Sequence, residues 1–254
     1  DPLWSRGLGD VYKRQLLAGG GVAEEVVVDA RHVLPVPEGL SLHEAAALPE
    51  VYATAWLNLF QLAGLKPGEK VLLHAGASGV GSAAIQLCKA FGSSCWVTVG
   101  SQQRLAYCES LGASGGAIRD KDGLKVADDF GPFEVILDPV GASYAALNLK
   151  LLALDGRWVN IGMMGGRKAE VDMALVLGKR IQLIGSTLRN RDDLFKAELL
   201  RDLRQHVWPL FSEGRLKPQL ARTFPISEAH EAYSTLEGNQ VNGKLVLVID
   251  DSLS

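Results

Sequence analysis

Residues 71–87, VLLHAGASGVGSAAIQL, hold the one arrangement in this chain suited to gripping a pyrophosphate. A short apolar run leads into Gly76, Gly79 and Gly81 and then directly into a segment with helical periodicity. Glycines let a backbone turn sharply and approach a ligand closely. The first turn of a helix presents unpaired N–H groups and a partial positive charge, which together attract phosphate. Ser78, at the helix start, adds a hydroxyl donor. The spacing is G-x-x-G-x-G rather than G-x-G-x-x-G, so the placement between strand and helix carries the argument. The alternative is a turn that serves only helix–strand packing.

The next strand decides which dinucleotide. In NAD-selective folds an acidic side chain about 20 residues on holds the ribose 2′-hydroxyl. Here that place reads Val99-Gly100-Ser101-Gln102-Gln103-Arg104, with a base and no acid. Ser101 and Arg104 suit a 2′-phosphate, and the planar guanidinium matches a dianion. NADPH is therefore expected over NADH. Arg104 read alone is equally a solvated helix residue. Ligands of open parallel sheets lie beyond the carboxyl ends of the strands. That rule nominates Asp138-Pro139-Val140-Gly141, Gly162-Met163-Met164-Gly165-Gly166 and Ser186-Thr187-Leu188. Asp138 has the simpler reading of a turn cap. Met163 and Met164 are either core filler or an adaptable surface for a flat apolar substrate.

These residues need a framework. Lys70–Ala75, Cys95–Val99, Ala117–Ile118, Phe133–Asp138, Arg157–Gly162 and Ile181–Ser186 read as strands. Gly79–Phe91, Gln102–Leu111 (closed by Gly112) and Tyr144–Leu154 read as helices between them. Alternation of this kind predicts an α/β fold with a doubly wound, parallel, six-stranded Rossmann-type sheet. Upstream, Ala23–Val28 reads as a strand and Val33–Pro37 as extended chain. Ser41 with Glu44 forms a capping box ahead of Ala45–Leu48. After Pro49, a second helix runs from Thr54 to Ala63 and stops at Gly64. Downstream, Asp192–Phe211 reads as one long helix, Pro225–Glu237 as another capped by Ser227, and Lys244–Ile249 as a final strand. Residues 1–15 show no periodicity and begin without Met, and are read as a junction or non-native segment.

Composition removes several classes. With 47% hydrophobic residues and a net charge of −3, the chain has globular composition and no basic stripe for nucleic acid. No apolar run reaches the roughly 18 residues of a membrane span, and no secretory signal is visible, so the cytoplasm is the expected location. Cys88, Cys95 and Cys108 show no paired spacing and read as idle buried thiols. No metal site is expected.

Five stretches, HAGASGVGSAAIQLCKAFG, VTVGSQQRL, VILDPVGASY, LALDGRWVNIGMMGG and GSTLRNRD, occur in the order found in one family. Together they resemble the zinc-independent, zeta-crystallin-like quinone oxidoreductases of the medium-chain dehydrogenase/reductase superfamily, from about Leu17 to Ile249. The resemblance implies an NADPH-binding Rossmann domain over residues 50–189. Residues 16–49 and 190–254 would be the remainder of a GroES-like catalytic domain. It implies cofactor contacts at Ser78, Gly79, Val80, Gly81, Gly100, Ser101 and Arg104. Val140, Gly162, Met163, Met164, Thr187 and Leu188 would approach the nicotinamide half. Thr54 matches a threonine near nicotinamide, and Lys244 a lysine near the cofactor; Lys244 reads equally well as a solvated strand-end residue.

Two departures stand out. Glu50 lies where zinc enzymes of the superfamily place a cysteine ligand, and no cysteine precedes Cys88. Arg119 replaces a tyrosine that lies against adenine in a close relative; a guanidinium also stacks on a base. Relatives carry roughly 90 further residues upstream, the size of an added domain, which include the polar groups lining the substrate side. No catalytic acid or base is therefore nominated; His74 reads as structural. The implied reaction is hydride transfer from NADPH to a quinone or similar conjugated carbonyl. The alternatives are an enal or enoyl-thioester reductase, or an NADPH-binding scaffold or inactive fragment without turnover. A homodimer is a further possibility that the resemblance raises. The Gly19–Pro49 and C-terminal segments are expected to expose apolar surface.

Overall fold

A computed structural model describes residues 13–15, 20–120, 123–127, 129–238 and 241–249. The chain forms two compact units, one of Thr54–Thr187 and one that joins residues up to Ala53 with those from Leu188 onward.

The discontinuous unit begins with β1 (Lys13–Gln15), which pairs antiparallel with β2 (Val33–Pro35). Helix α1 (Leu42–Ala46) starts at the expected capping box: Ser41 Oγ accepts from Glu44 N–H and the Glu44 carboxylate accepts from Ser41 N–H. Helix α2 (Pro49–Trp56) continues into a π-helical stretch, Leu57–Leu62, and the chain leaves it at Gly64 in a left-handed conformation.

Thr54–Thr187 holds the sheet. Its elements are β3 (Lys70–His74), α3 (Gly79–Ala90), β4 (Ser94–Val99), α4 (Gln102–Leu111), β5 (Gly115–Asp120), β6 (Gly123–Leu124), β7 (Phe133–Asp138), α5 (Ala145–Leu151), β8 (Leu152–Asn160), α6 (Met173–Lys179) and β9 (Gln182–Gly185). The strand order is β6-β5-β4-β3-β7-β8-β9. Six of these strands run parallel, as expected; β6 adds an antiparallel edge by pairing with β5. The chain starts in the middle at β3, winds outward through β4 and β5, then returns to β7 on the other side. The crevice between β3 and β7 is thus the topological switch point where such sheets bind ligands. Strands β3 and β7 are buried on both faces and read as continuous apolar runs, the signature of an interior parallel strand. Leu72, Phe133, Ile136, Leu149 and Trp158 form a core over this crossing. Arg157 fastens the sheet to the preceding helix: it holds Glu69 with two hydrogen bonds of 2.7 and 2.9 Å and donates to Ala63 O at 2.9 Å.

The remaining elements, α7 (Asp193–His206), α8 (Trp208–Ser212), β10 (Leu220–Pro225), α9 (Ala229–Glu237) and β11 (Lys244–Val248), return to the discontinuous unit. Trp208 Nε1 donates to Pro35 O at 2.8 Å, and the Tyr52 and Phe211 rings meet edge-on at 5.0 Å.

Four expectations are corrected. Ala23–Val28 is not a strand, and Val27 is fully exposed; β-rich sequence becomes a strand only where another strand pairs with it, and none of the described ones does. The helix expected over 192–211 breaks at Val207, because Pro209 has no N–H to donate and fits only in the first turn of a new helix. The helix expected from Pro225 starts at Ala229, because Leu220–Pro225 is drawn into a parallel pair with β11. Ser227 lies inside a short 3-10 turn and caps nothing. The expected junction segment falls mostly outside the described residues, apart from β1.

Candidate functional site

Sheet register sets the site. Leu73 pairs with Leu137, His74 with Thr98, Asp138 with Asn160 and Asn160 with Gly185. The carboxyl ends of five strands therefore lie level, and the loops that leave them emerge along one edge.

The glycine turn sits at the centre of that edge. After β3 the chain passes through Ala75 at φ 55°, an uncommon left-handed conformation for a residue with a Cβ. Gly76 N–H donates to Thr98 O at 3.1 Å, which locks the turn onto β4. A Cβ at Gly76 would lie 2.5 Å from Val97 Cγ1. A Cβ at Gly81 would lie 2.5 and 2.6 Å from the carbonyl oxygens of Gly76 and Ala75. Both glycines are thus demanded by packing. That packing draws the N-terminus of α3 down onto the turn. Ser78 is the N-cap and its Oγ accepts from Gly81 N–H at 3.1 Å. Its hydroxyl hydrogen is left to donate outward, beside the Gly79 and Val80 N–H groups, which have no acceptor within the helix.

On the neighbouring strand, Ser101 caps α4 by accepting from Arg104 N–H at 3.3 Å. Arg104 Nη1 lies 3.9 Å from where a Gly100 Cβ would stand, with no other group within 4 Å. Gly100, Ser101 and Arg104 therefore come together as an open corner with a guanidinium on one wall. Tyr107 OH meets Ser82 Oγ at 3.2 Å and ties α4 to α3. Burial pushes the Tyr144 hydroxyl pKa up, opposed by the nearby Arg119, exposed on β5, and the Tyr144 ring packs edge-on against His74 at 4.7 Å. Cys88, Cys95 and Cys108 are free and buried, and burial pushes the Cys108 thiol up to about 12.

Beneath the switch point lies a chain of buried polar side chains. Asp138 is wholly buried. Its Oδ1 accepts from Val140 N–H at 2.6 Å and Gly141 N–H at 3.0 Å, so it does cap the turn. Its Oδ2 accepts from Asn148 Nδ2 and from Trp158 Nε1, both at 2.9 Å. Asn148 Oδ1 then faces His74 Nε2 at 2.8 Å, and His74 Nδ1 meets Thr98 Oγ1 at 3.0 Å. Because Asn148 gives its N–H to the carboxylate, its oxygen must accept, so His74 carries its proton on Nε2 and accepts from Thr98 at Nδ1.

The same burial has a pH consequence. Desolvation holds the His74 pKa below its ordinary value near 6.5, against the opposing pull of Asn148 and of the Asp138 charge. A lowered histidine pKa means that the unfolded chain takes up the proton first. Stability is therefore complete above pH 6.5 and is lost as pH falls from there toward the folded-state pKa. We expect the thermal midpoint to drop across that interval in the wild type and the slope to flatten in His74→Gln; an unchanged slope would contradict the assignment.

Two loops meet above Asp138. Gly165 N–H donates to Val140 O at 2.7 Å, Met164 N–H to Pro139 O at 3.3 Å and Ser143 N–H to Gly165 O at 3.2 Å. A Cβ at Gly162 would lie 2.6 Å from Pro139 O. Val140 and Gly162 are half-buried on this platform. Met163 and Met164 are 60% and 80% exposed, which removes the core-filler reading. Thr187, exposed, ends the sheet-bearing unit, with Thr54, half-buried, at its start. Leu188 and Lys244 belong to the other unit, where Lys244 Nζ donates to Glu50 at 2.8 Å. Among the described residues, no three His, Cys, Asp or Glu side chains gather as a metal-binding set, and no helix is long and apolar enough to cross a membrane.

Thr98, Tyr144, Asn148 and Trp158 do not stand out in the sequence. Asn148 sits within a helix, where nothing local distinguishes a buried hydrogen-bonded amide from a solvated one.

Comparisons with known proteins agree with this geometry. Residues 79–203 match the zinc-binding dehydrogenase family. The chain is 31% identical over 237 residues to polyketide synthase GfsB of Streptomyces halstedii, an alignment that takes in 93% of this chain and 4% of that protein. It thus spans a small fraction of the length of this curated relative. Among solved structures, the quinone oxidoreductase of Thermus thermophilus, determined also with NADPH, is 31% identical with a TM-score of 0.81, covering 92% of this chain and 76% of its own. The CurK enoyl reductase is 27% identical with a TM-score of 0.71, covering 87% and 67%. With a relative of that identity and coverage, and with the strand order and glycine turn described above, the chain belongs to the medium-chain dehydrogenase/reductase superfamily.

Proposed function

We propose that the chain is an NADPH-dependent oxidoreductase that delivers hydride to a quinone or similar conjugated carbonyl without zinc. The observation that carries the proposal is the glycine turn, where Gly81 is pressed onto backbone carbonyls and the α3 N-terminus stands open at the switch point. The residues fit the cofactor. Ser78, Gly79, Val80 and Gly81 would hold the pyrophosphate, and Gly100, Ser101 and Arg104 the 2′-phosphate. A Cβ at Gly100 would meet Arg104 Nη1 at 3.9 Å, and the stretch Val99–Arg104 carries no acidic residue. Arg119, near the Tyr144 hydroxyl, would flank the adenine. Val140, Gly162, Met163 and Met164 would line the nicotinamide half, with Thr54, Thr187, Leu188 and Lys244 as further contacts. When bound, the dihydronicotinamide supplies the hydride, and a proton from water completes the hydroquinone. The chain's own task is to orient the donor and present a flat apolar wall to the acceptor.

We place the chain in the zeta-crystallin-like branch and assign the unit outside Thr54–Thr187 to a GroES-like catalytic domain, with a cytoplasmic location. Support for chemistry without zinc comes from Glu50, whose carboxylate is engaged by Lys244. Likeness to the CurK enoyl reductase favours a second reading, reduction of an enoyl thioester. Following NADPH oxidation with an ortho-quinone and, in parallel, with an enoyl thioester separates the two. Quinone-dependent oxidation supports the first, thioester-dependent oxidation the second, and none with either leaves an NADPH-binding scaffold.

We also propose a homodimer. Strand β9 ends the sheet, with Leu183 59% exposed, and α6 beside it buries none of its residues, leaving Met173 and Leu177 67% and 80% exposed. An open apolar edge of this kind pairs readily with its own copy across a two-fold axis. Light scattering should find a dimer for the wild type and a monomer for Leu183→Lys; a monomeric wild type would contradict this.

A further inference from the structure

Asp138 presents an unusual combination. It is a fully buried carboxylate whose four hydrogen-bond donors are all uncharged: two turn amides, an asparagine and an indole. A buried charge held this way is costly to desolvate and depends on every donor staying in place. The donors come from separate elements: Trp158 from β8, Asn148 from α5, and Val140 and Gly141 from the turn after β7. Asn148 is in turn oriented by His74 on β3, and His74 by Thr98 on β4. The platform above, residues 139–144 and 161–166, is laced by backbone hydrogen bonds and by glycines that admit no Cβ, so it moves as a piece. The Asp138 carboxylate holds the platform's first loop to the sheet centre, while Asn160 Nδ2, donating to Gly162 O at 3.0 Å, ties its second loop to the end of β8.

We infer that Thr98, His74 and Asn148 act as a positioning relay, fixing through Asp138 the Val140–Gly141 turn and the Gly162–Gly166 loop against which the nicotinamide must lie. All three relay residues are buried, so each acts through its neighbour and is a positioning residue. Asn148 can serve Asp138 only while His74 Nε2–H holds its oxygen, and His74 keeps that tautomer because Thr98 occupies Nδ1. The inference rests on the NADPH reading for its effect on turnover, but the anchoring itself does not need a cofactor.

The test compares His74→Leu, which removes the donor to Asn148, with His74→Gln, whose amide N–H replaces Nε2–H. Thr98→Val, nearly isosteric, serves as the milder variant that folds with least disturbance. Three readouts are taken on the full chain: amide hydrogen exchange, the Kd for adenosine 2′,5′-bisphosphate, and kcat for NADPH oxidation by the best acceptor. In His74→Leu, exchange should quicken at the Val140, Gly141 and Gly165 amides while the interiors of β3 and β7 stay protected. The bisphosphate, which reaches only the adenosine half, should bind as to the wild type. The kcat should fall about 10- to 100-fold, as expected for a misplaced donor. His74→Gln should recover most of the loss, and Thr98→Val should shift kcat and exchange in the same direction as His74→Leu by a few-fold. The inference is overturned if all three variants keep wild-type kcat, if glutamine is as damaging as leucine, or if exchange rises uniformly across the sheet. A wild type that binds no dinucleotide defeats the NADPH reading alone; quickened exchange confined to the two loops would still support the anchoring, and unchanged exchange would overturn it.

Discussion

Gly81→Ala is expected to abolish NADPH binding while leaving most of the sheet intact. The added methyl would stand 2.5 Å from Gly76 O and 2.6 Å from Ala75 O. Both are backbone atoms of a turn already fixed to β4 by Gly76 N–H, so neither can rotate away as a side chain would. Helix α3 must therefore lift off the turn. Overpacking of this kind costs about 1–3 kcal/mol of stability. The functional cost is larger, because the Gly79 and Val80 N–H groups move away from the phosphates together and the Ser78 cap on Gly81 is disturbed. A loss of at least about 100-fold in NADPH affinity is expected, with circular dichroism close to that of the wild type; displacement by about 1 Å suffices for such an effect. Near-normal affinity would mean that phosphate is not held at this helix.

Arg104→Ala should act on the other end of the dinucleotide and discriminate. Hydrogen bonds to a charged group contribute about 1.5–3 kcal/mol, so NADPH affinity should fall about 10- to 100-fold. NADH, lacking the 2′-phosphate, should bind as before. The substitution spares the helix cap, because Ser101 caps α4 through the Arg104 backbone N–H, which alanine keeps. Equal weakening for both cofactors would assign Arg104 to helix structure; no change for either would return it to the solvated surface.

The parts of this fold visible in the sequence are those where a local rule and the tertiary structure ask for the same residue. Ser41 and Glu44 cap each other without help from elsewhere. Gly112 ends α4 in the left-handed region that glycine tolerates best. The strand–glycine–helix order of residues 70–90 betrays itself because β3 is a short apolar run buried on both faces and the small and apolar residues after the glycines, 81–88, are buried in turn. The parts not visible depend on partners far along the chain. Leu220–Pro225 is a strand because β11 pairs with it, and Ala23–Val28 is not one because nothing described pairs with it. The relay shows the same limit more sharply. His74 and Asn148 are 74 positions apart, and it takes the parallel pairing of β3 with β7 and the packing of α5 against that pair to bring them to 2.8 Å. Arg119 illustrates a third case: its type is notable in the sequence, but its engagement with Tyr144 requires the strand order β5-β4-β3-β7.

The central claim is that the α3 N-terminus and the Gly100–Arg104 corner together hold NADPH. A titration of the full chain with NADPH, followed by nicotinamide fluorescence and run alongside NADH, tests it most directly. Saturable NADPH binding with NADH weaker by about 10-fold or more, the worth of charge-assisted contacts to a 2′-phosphate, is the predicted result; no saturable binding of either dinucleotide, or equal affinity for both, would contradict it.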